Sequence, residues 1–322
     1  MTVELARAQP IDRPWGVIEG IGEAGAWLKS GASSLPIGEI WYERSSELAD
    51  RPALLLKLLL TSRPLSIQVH PDDAYARSKG LENGKTEAWY VIQAAAGAAV
   101  ALGLKSEMTR TRLRQAALDG SIAELMVWKD VAEGEAILVP AGTIHAIGPG
   151  LVIAEIQQRS EATYRLFDYG SDRELHLDDG LAVSQTGPAA LGAAPLPIDR
   201  VRTLLVRSPY FVMERLELEP GARRSLVAEL ETWVLVVGGS ATAGPHDLAK
   251  GDALFVQSDR VDIRAGPEGL VALAAYTGDR CAAHLLQPSA LEAAATDEPL
   301  HPFVKSAFSG PSPIVRGTGA LS

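Results

Sequence analysis

Four residues carry the chemistry this chain could perform: Gln68, His70, Glu87 and His145. Two imidazoles, one carboxylate and one amide oxygen form a mixed nitrogen and oxygen donor set. Such a set suits Zn²⁺ best and also accommodates Fe²⁺, Mn²⁺, Co²⁺ or Ni²⁺. No cysteine joins it, which argues against a closed structural site. Open positions for water or substrate oxygens would mark a catalytic metal. Spacing supports the grouping. In Ser66-Ile67-Gln68-Val69-His70, a strand turns Gln68 and His70 to one face and Ile67 and Val69 to a core behind. Lys85, Glu87 and Trp89 likewise share one face of Lys85-Thr86-Glu87-Ala88-Trp89-Tyr90-Val91-Ile92. His145 closes the pattern G-x5-P-x-G-x2-H that starts at Gly134, and the turn Pro140-Ala141-Gly142 fixes where it points. Taken alone, Gln68 and His70 also describe an edge strand facing water, and Lys85 with Glu87 an exposed pair of little energetic consequence. Only strands lining one barrel bring the four together.

The elements that must hold them are therefore strands. Residues 53–60 form the most apolar run of the first half, interrupted by Lys57. A lone lysine there lies on a solvated face or is kept inside for a purpose. Thr61-Ser62-Arg63-Pro64 turns the chain into the Gln-x-His strand, and residues 74–84 read as a loop with a short helix. Residues 106–127 switch to helical character: Ser106 caps, Leu113, Ala116 and Ala117 recur at helical spacing, and Asp119-Gly120 stops. Ser121 starts a second short helix through Met126. Trp15 and Trp41 read as core or lid packing. A Pro- and Ala-rich linker follows at 187–199, and then the β pattern returns.

That return is a weak repeat. Glu231-Thr232-Trp233 echoes Glu87-Ala88-Trp89, and Gly251-Asp252-Ala253-Leu254-Phe255-Val256 echoes the stretch from Gly134. Asp262 falls where the first copy has His145, and Arg224-Ser225-Leu226-Val227 replaces the Gln-x-His stretch. The second copy keeps the strand pattern without the donors and reads as structural. His176, His246, His284 and His301 have no partner at ligand spacing and read as surface or local hydrogen-bonding residues.

At 322 residues, the chain suggests two domains or one large β domain, and a mean hydropathy of +0.06 is ordinary for a soluble globular protein. A net charge of −10 repels nucleic acid and anionic membranes. It also opposes an anionic substrate at long range, so cations must be placed locally in any pocket for one. No apolar stretch approaches the roughly 20 residues of a membrane span, and no signal peptide is visible. The single Cys281 excludes an intramolecular disulfide, fits a reducing cytoplasm, and reads as a small buried or semi-exposed residue.

The stretches Ser66-Ile-Gln-Val-His-Pro-Asp, Lys85-Thr-Glu-Ala-Trp-Tyr, Val139-Pro-Ala-Gly-Thr-Ile-His-Ala and Thr163-Tyr-Arg-Leu-Phe-Asp-Tyr resemble the type I mannose-6-phosphate isomerases in their short bacterial form. The resemblance spans roughly residues 10–290, dense between 53 and 170 and loose beyond 200. It implies a mainly β fold of two cupin-like (jelly-roll) barrels in tandem, with one Zn²⁺ per chain on Gln68, His70, Glu87 and His145. It implies interconversion of mannose 6-phosphate and fructose 6-phosphate through a metal-stabilised cis-enediolate. Arg165 matches the family's active-site arginine. Lys85 and Glu155 are the candidates for the base, with the choice open, and Ser66 and Lys57 fall where phosphate is recognised. After Asp168-Tyr169 the chain runs Gly170-Ser171-Asp172, where many members carry a basic residue, a departure that leaves that part of the phosphate contact unassigned.

The expected organisation is a metal-binding domain over 1–186 with the helical insert 106–127, a linker over 187–199, a degenerate second barrel over 200–290 and a tail over 291–322. The expected partner is a small sugar phosphate, with no nucleic acid or membrane, in a cytoplasmic monomer or homodimer. A metal-dependent cupin oxygenase and a non-catalytic sugar-phosphate-binding cupin are the alternatives. Lys57, Lys85 and Arg165 argue against the oxygenase, and the absence of a helix-turn-helix or basic patch argues against a DNA-bound sensor.

Overall fold

The computed structural model describes residues 2–18, 27–28, 35–45, 50–190 and 192–289; His301 and the tail 291–322 lie outside the described residues. The strands are β1 (Thr2–Leu5), β2 (Arg7–Val17), β3 (Ile37–Glu43), β4 (Leu54–Leu60), β5 (Ile67–Val69), β6 (Glu87–Ala94), β7 (Ala99–Leu104), β8 (Met126–Asp130), β9 (Ala136–Val139), β10 (His145–Ile147), β11 (Leu151–Gln158) and β12 (Tyr164–Phe167). Beyond them come β13 (Leu196–Pro197), β14 (Arg202–Arg207), β15 (Phe211–Leu218), β16 (Arg223–Ala228), β17 (Thr232–Ala243), β18 (His246–Ala249), β19 (Ala253–Gln257), β20 (Asp259–Thr277) and β21 (Leu286–Pro288). Short helices are α1 (Asp73–Ser78), α2 (Arg110–Asp119), α3 (Ile122–Leu125) and α4 (Leu177–Val183). The fold is mainly β, as the sequence leads one to expect. No helix among the described residues is long and apolar enough to cross a membrane.

The first half holds two sheets, β2-β3-β4-β11-β6-β9 and β12-β5-β10-β7-β8; the second half is one larger sheet built on β19-β17-β20-β15-β14. Alternation explains the layering. From β4, Leu54, Leu56, Leu58 and Leu60 pack outward against Phe211, Trp233 and Phe255 of the second half. Leu59 packs inward with Trp89, Val100 and Ile147, between the two sheets of the first half. Burial on both faces is why the run is apolar throughout. On the opposite sheet, Ile67, Val69 and Ala146 pack outward on Leu113 and Ala117 of α2. The alternate residues of these strands, Lys57, Glu87, Gln68, His145 and Glu155, therefore face the space between the sheets.

Three expectations change in detail. The insert is helical only in α2 and α3. Thr109, not Ser106, caps α2 by accepting from Arg112 N–H at 3.3 Å, because the preceding segment is tied down through Met108 N–H to Thr186 O at 2.9 Å. Gly120 ends α2 at φ 82°, and Met126 already belongs to β8. The expected boundaries are crossed: β1 pairs with β19 in the second half's sheet, and the segment read as linker closes with β13 laddered on β14.

The repeat is present in the backbone: the Gly134 and Gly251 echo is in step, whereas the echoes at Glu231 and Asp262 are one residue out. Gly134 N–H bonds Val91 O and Gly251 N–H bonds Val236 O, with φ of 86° and 85°. Val236 thus matches Val91, and Thr232 rather than Glu231 matches Glu87. Gly103 N–H bonds Ile144 O and Gly244 N–H bonds Asp262 O, so Ile263 rather than Asp262 matches His145. Gln68 pairs across to His145 and Arg224 to Ile263, which places Leu226 at the position of His70. A slip of one residue puts every side chain on the opposite face, so the echoed acids do not face the second interior as donors.

Candidate metal centre

β5, β6 and β10 bring His70, Glu87 and His145 together, all buried, with ligand-type atoms within 4.8 Å of one another. His70 Nε2 lies 3.3 Å from Glu87 Oε2, and His145 Nε2 lies 3.4 Å from Glu87 Oε1. Each imidazole is oriented by its other nitrogen. Nδ1 of His70 is 2.9 Å from Ala162 O, and Nδ1 of His145 is 2.9 Å from Thr143 O. A carbonyl accepts only, so both Nδ1 atoms carry the proton and both Nε2 lone pairs point at the carboxylate. Gln68 joins the group on the cross-strand position of His145, its Nε2 3.3 Å from His145 Nε2 and its Oε1 accepting from Ser66 Oγ at 3.1 Å.

The protonation states are those a cation requires. Burial, reinforced by Lys85, lowers His70 to about 3, and burial lowers His145 as well, so both rings are neutral. Burial alone would raise Glu87, but the charge of Lys85 outweighs it and holds the carboxyl well below its ordinary value. His70 Nε2 and Glu87 Oε2 are buried without a hydrogen-bond partner. Lys85 Nζ stands 3.0 Å from the same oxygen, as an ion pair without hydrogen-bond geometry. Two facing lone pairs with no proton between them are costly in a folded interior. A bound cation relieves both, so these residues fit a metal ion.

The donor group opens on a cavity of about 420 Å³ between the sheets, which Lys57, Ser66, Gln68, Lys85, Glu155 and Arg165 also line. Every site residue expected from sequence thus lines this one space or stands at its closed end. Their engagements differ. Lys57 donates to Gln157 Oε1 at 2.8 Å, lies 3.4 Å from Glu155 Oε1, and sits 4.8 Å above the Trp41 ring. Glu155 Oε2 accepts from Trp89 Nε1 at 3.2 Å; burial, then the charge of Glu87, raises its carboxyl. Arg165 faces Gln68 across β12 and β5 and donates through Nε to Glu174 O at 3.0 Å. His176 braces it locally: its N–H donates to Arg165 O, and its Nδ1 accepts from Arg165 N–H.

Several residues in or beside the cavity were not read from sequence. Gln157 shares the face of Glu155 two residues away, a signal period-2 reading could have used. Trp41 is paired in register with Lys57, so packing and lining coincide in it. Glu39 shares the face of Trp41 two residues on in β3 and pairs with Arg13 of β2, whereas Asp168 and Arg173 lie beyond the end of β12 and carry no spacing signal. Cys281 is buried and remote from the site, as expected of a packing residue.

A mainly β fold whose first half holds a His-Glu-His group that could bind a metal ion, beside a cation-lined cavity, is consistent with the cupin class. No protein-family model matches the chain. Mannose-6-phosphate isomerase of Streptococcus mutans is 35% identical over 245 residues, 71% of this chain and 77% of that protein. Mannose-6-phosphate isomerase ManA of Bacillus subtilis is 41% identical over 141 residues, 42% of this chain and 44% of that one. The crystal structure of mannose 6-phosphate isomerase from Bacillus subtilis superposes with a TM-score of 0.72 at 24% identity, over 85% of this chain and 99% of that one, and supports the fold. The chain belongs to the mannose-6-phosphate isomerase family.

Proposed function

We propose that the chain is a zinc-dependent isomerase that interconverts D-mannose 6-phosphate and D-fructose 6-phosphate. Family membership supports the reaction. The observation that carries the metal is that buried His70 Nε2 and Glu87 Oε2 face each other beside a cation-lined cavity with no hydrogen-bond partner for either. His70 Nε2 and His145 Nε2 stand 3.3 and 3.4 Å from the two oxygens of Glu87, and this nitrogen and oxygen donor set without sulfur would suit Zn²⁺. Gln68 completes the set if its amide turns over, giving Oε1 to the centre and leaving Nε2 to donate to Ser66 Oγ. Bound there, the cation supplies Lewis-acid stabilisation of the oxyanion that develops on the sugar.

The chain's own residues do the rest. Isomerisation moves a proton between C2 and C1 through an enediolate, so a base must reach the carbon acid. Glu155 is better disposed than Lys85, because Lys85 is held 3.0 Å from the ligand Glu87 whereas Glu155 lines the open cavity, oriented by Trp89 and Lys57. Arg165 has no carboxylate within ion-pair distance among the described residues. Its charge is therefore available to the developing oxyanion. Ser66 and Lys57 offer a hydroxyl and an ammonium toward the phosphate, although Lys57 must exchange Glu155 for a phosphoryl oxygen to do so.

A coupled assay for fructose 6-phosphate formed from mannose 6-phosphate, before and after chelation, tests this reading. Turnover that disappears on chelation and returns with Zn²⁺ is expected. No turnover in metal-replete protein sinks it.

A further inference from the structure

The three donors come from two sheets. His145 stands on β10 and His70 just beyond its ladder partner β5, whereas Glu87 opens β6 in the facing sheet. No ladder among the described residues joins β6 to β5 or β10. The donors do not hold one another either. His70 Nε2 and Glu87 Oε2 face each other with no proton between them, a contact that tends to open in the metal-free chain. Close to the donors the chain crosses between the sheets in residues 140–144, from β9, laddered on β6, to β10. The pose of this crossing sets where His145 stands relative to Glu87.

Three hydrogen bonds behind the donors fix it. Gly142 N–H donates to His70 O at 2.8 Å and ties the crossing to β5. Lys85 N–H donates to Pro71 O at 2.9 Å and ties the entry of β6 to the exit of β5. Ala141 N–H donates to Thr86 Oγ1 at 3.2 Å and ties the crossing to β6. The first two run from backbone to backbone, and the third runs through a side chain. Thr86 is well placed for that task. Neighbours in an extended segment point to opposite faces, so buried Thr86 turns away from the cavity that Lys85 and Glu87 line. Its N–H donates to Gln158 Oε1 at 2.9 Å, and its carbonyl accepts from Gln158 N–H at 3.1 Å. Gln158 Nε2 donates to Asp73 Oδ1 at 2.9 Å, which leaves the Gln158 amide one orientation.

We propose that Thr86 is a positioning residue for the metal centre. Its hydroxyl, braced by Gln158, holds the carboxylate of Glu87 at ligand spacing from both imidazoles. It thereby sets the affinity for Zn²⁺ while touching neither metal nor substrate. The proposal rests on the metal named in the isomerase reading. A donor group assembled before the ion arrives loses less on binding than one that must close around it. Without the hydroxyl, Gly142 still holds the crossing to β5, so His70 and His145 stay together. The side of the crossing that faces Glu87 is then released.

The test is the Zn²⁺ affinity of the purified chain, measured by competition with a chromophoric chelator, beside urea unfolding of the metal-free chain. Thr86→Val keeps the shape and removes the acceptor. We expect its dissociation constant for Zn²⁺ to rise about 10–100-fold, as when a partner that orients metal ligands is lost. Thr86→Ser keeps the hydroxyl and should stay within about threefold of wild type. If Thr86→Val does not fold, Thr86→Ala carries the same readouts, since it removes the acceptor without setting a second methyl against Ala141. A merely structural threonine would cost metal-free stability and leave the dissociation constant where it is. That result overturns the proposal, as does a loss of affinity in Thr86→Ser equal to that in Thr86→Val. The readout needs no turnover. A chain that binds Zn²⁺ and leaves mannose 6-phosphate unconverted fails the isomerase reading by itself, and the competition still decides Thr86. A wild-type chain that binds no Zn²⁺ overturns the metal reading and the proposal together.

Discussion

The two halves place very different side chains at equivalent backbone positions. His70, Glu87 and His145 in the first half correspond to Leu226, Thr232 and Ile263 in the second, and Leu226 and Ile263 lie in a closed apolar core. Glu155 corresponds to Ala274 and Gln157 to Tyr276, read from their ladders with Glu87 and Thr232. Lys57 corresponds to Glu214, since each pairs with the matching residue of β11 or β20. A buried ion survives in both halves with opposite sign and opposite use. Lys57 bonds Gln157 beside an open cavity. Glu214 is closed off by Arg202, bidentate at 2.8 Å, and by the Tyr276 hydroxyl. One scaffold thus carries either an interior of unsatisfied donors that needs a ligand or an interior that needs nothing. Burying polar atoms without partners is expensive, so a function must keep the first arrangement.

The largest effect should come from making the first half resemble the second. His145→Ala deletes one donor of the group, and we expect metal content near zero by elemental analysis and turnover lower by at least about 10³-fold. Retained stoichiometric metal would break the contrast, because the centre would then not depend on the residue that Ile263 replaces.

Much of this contrast is legible in the sequence. Period-2 alternation puts Gln68 with His70 and Lys85 with Glu87, and the turn at Pro140 to Gly142 orients His145. Lys57 stands out because a lysine is rarely buried alone. What is not legible is register. The echoes Glu231 and Asp262 look like displaced ligands, and only the glycine-anchored ladders show each to be one residue away from the equivalent position. Side chains delivered by loops are equally hidden: Arg173 becomes a wall residue through Asp168, a contact no periodicity encodes. The packing of the two halves through the outer face of β4 reads in sequence only as an unusually apolar run.

An intermediate effect should fall on stability alone. Arg202→Met leaves Glu214 charged, buried and half-satisfied, which should lower unfolding stability by about 3–5 kcal/mol in urea denaturation. Metal bound per folded chain should not change. The paired change Arg202→Met, Glu214→Leu should recover most of the loss, because an apolar pair of similar volume removes the uncompensated charge. A drop in metal affinity in the folded single variant would show that the second interior is coupled to the first, and the contrast would have to be redrawn.

The smallest effect concerns the residue that sequence alone takes for a lost ligand. Glu231, on the face opposite to a ligand position, accepts from Ala53 and Leu54 N–H at 2.6 and 2.9 Å and from Trp233 Nε1 at 3.1 Å. It therefore ties the second half to the first residues of β4, the strand that carries Lys57. Burial raises its carboxyl above the ordinary value, against the pull of these donors. The folded chain then keeps this proton to higher pH than the unfolded chain does. As pH rises from the ordinary carboxyl value through the raised one, the unfolded chain releases its proton first and stability falls. Glu231→Gln should abolish that fall. At neutral pH it should cost about 1–2 kcal/mol, because an amide cannot accept at both positions and one N–H of β4 loses its partner. Stability curves measured against pH for both proteins decide the matter. An unchanged slope in the variant would mean that Glu231 does not titrate as part of the joint between the halves.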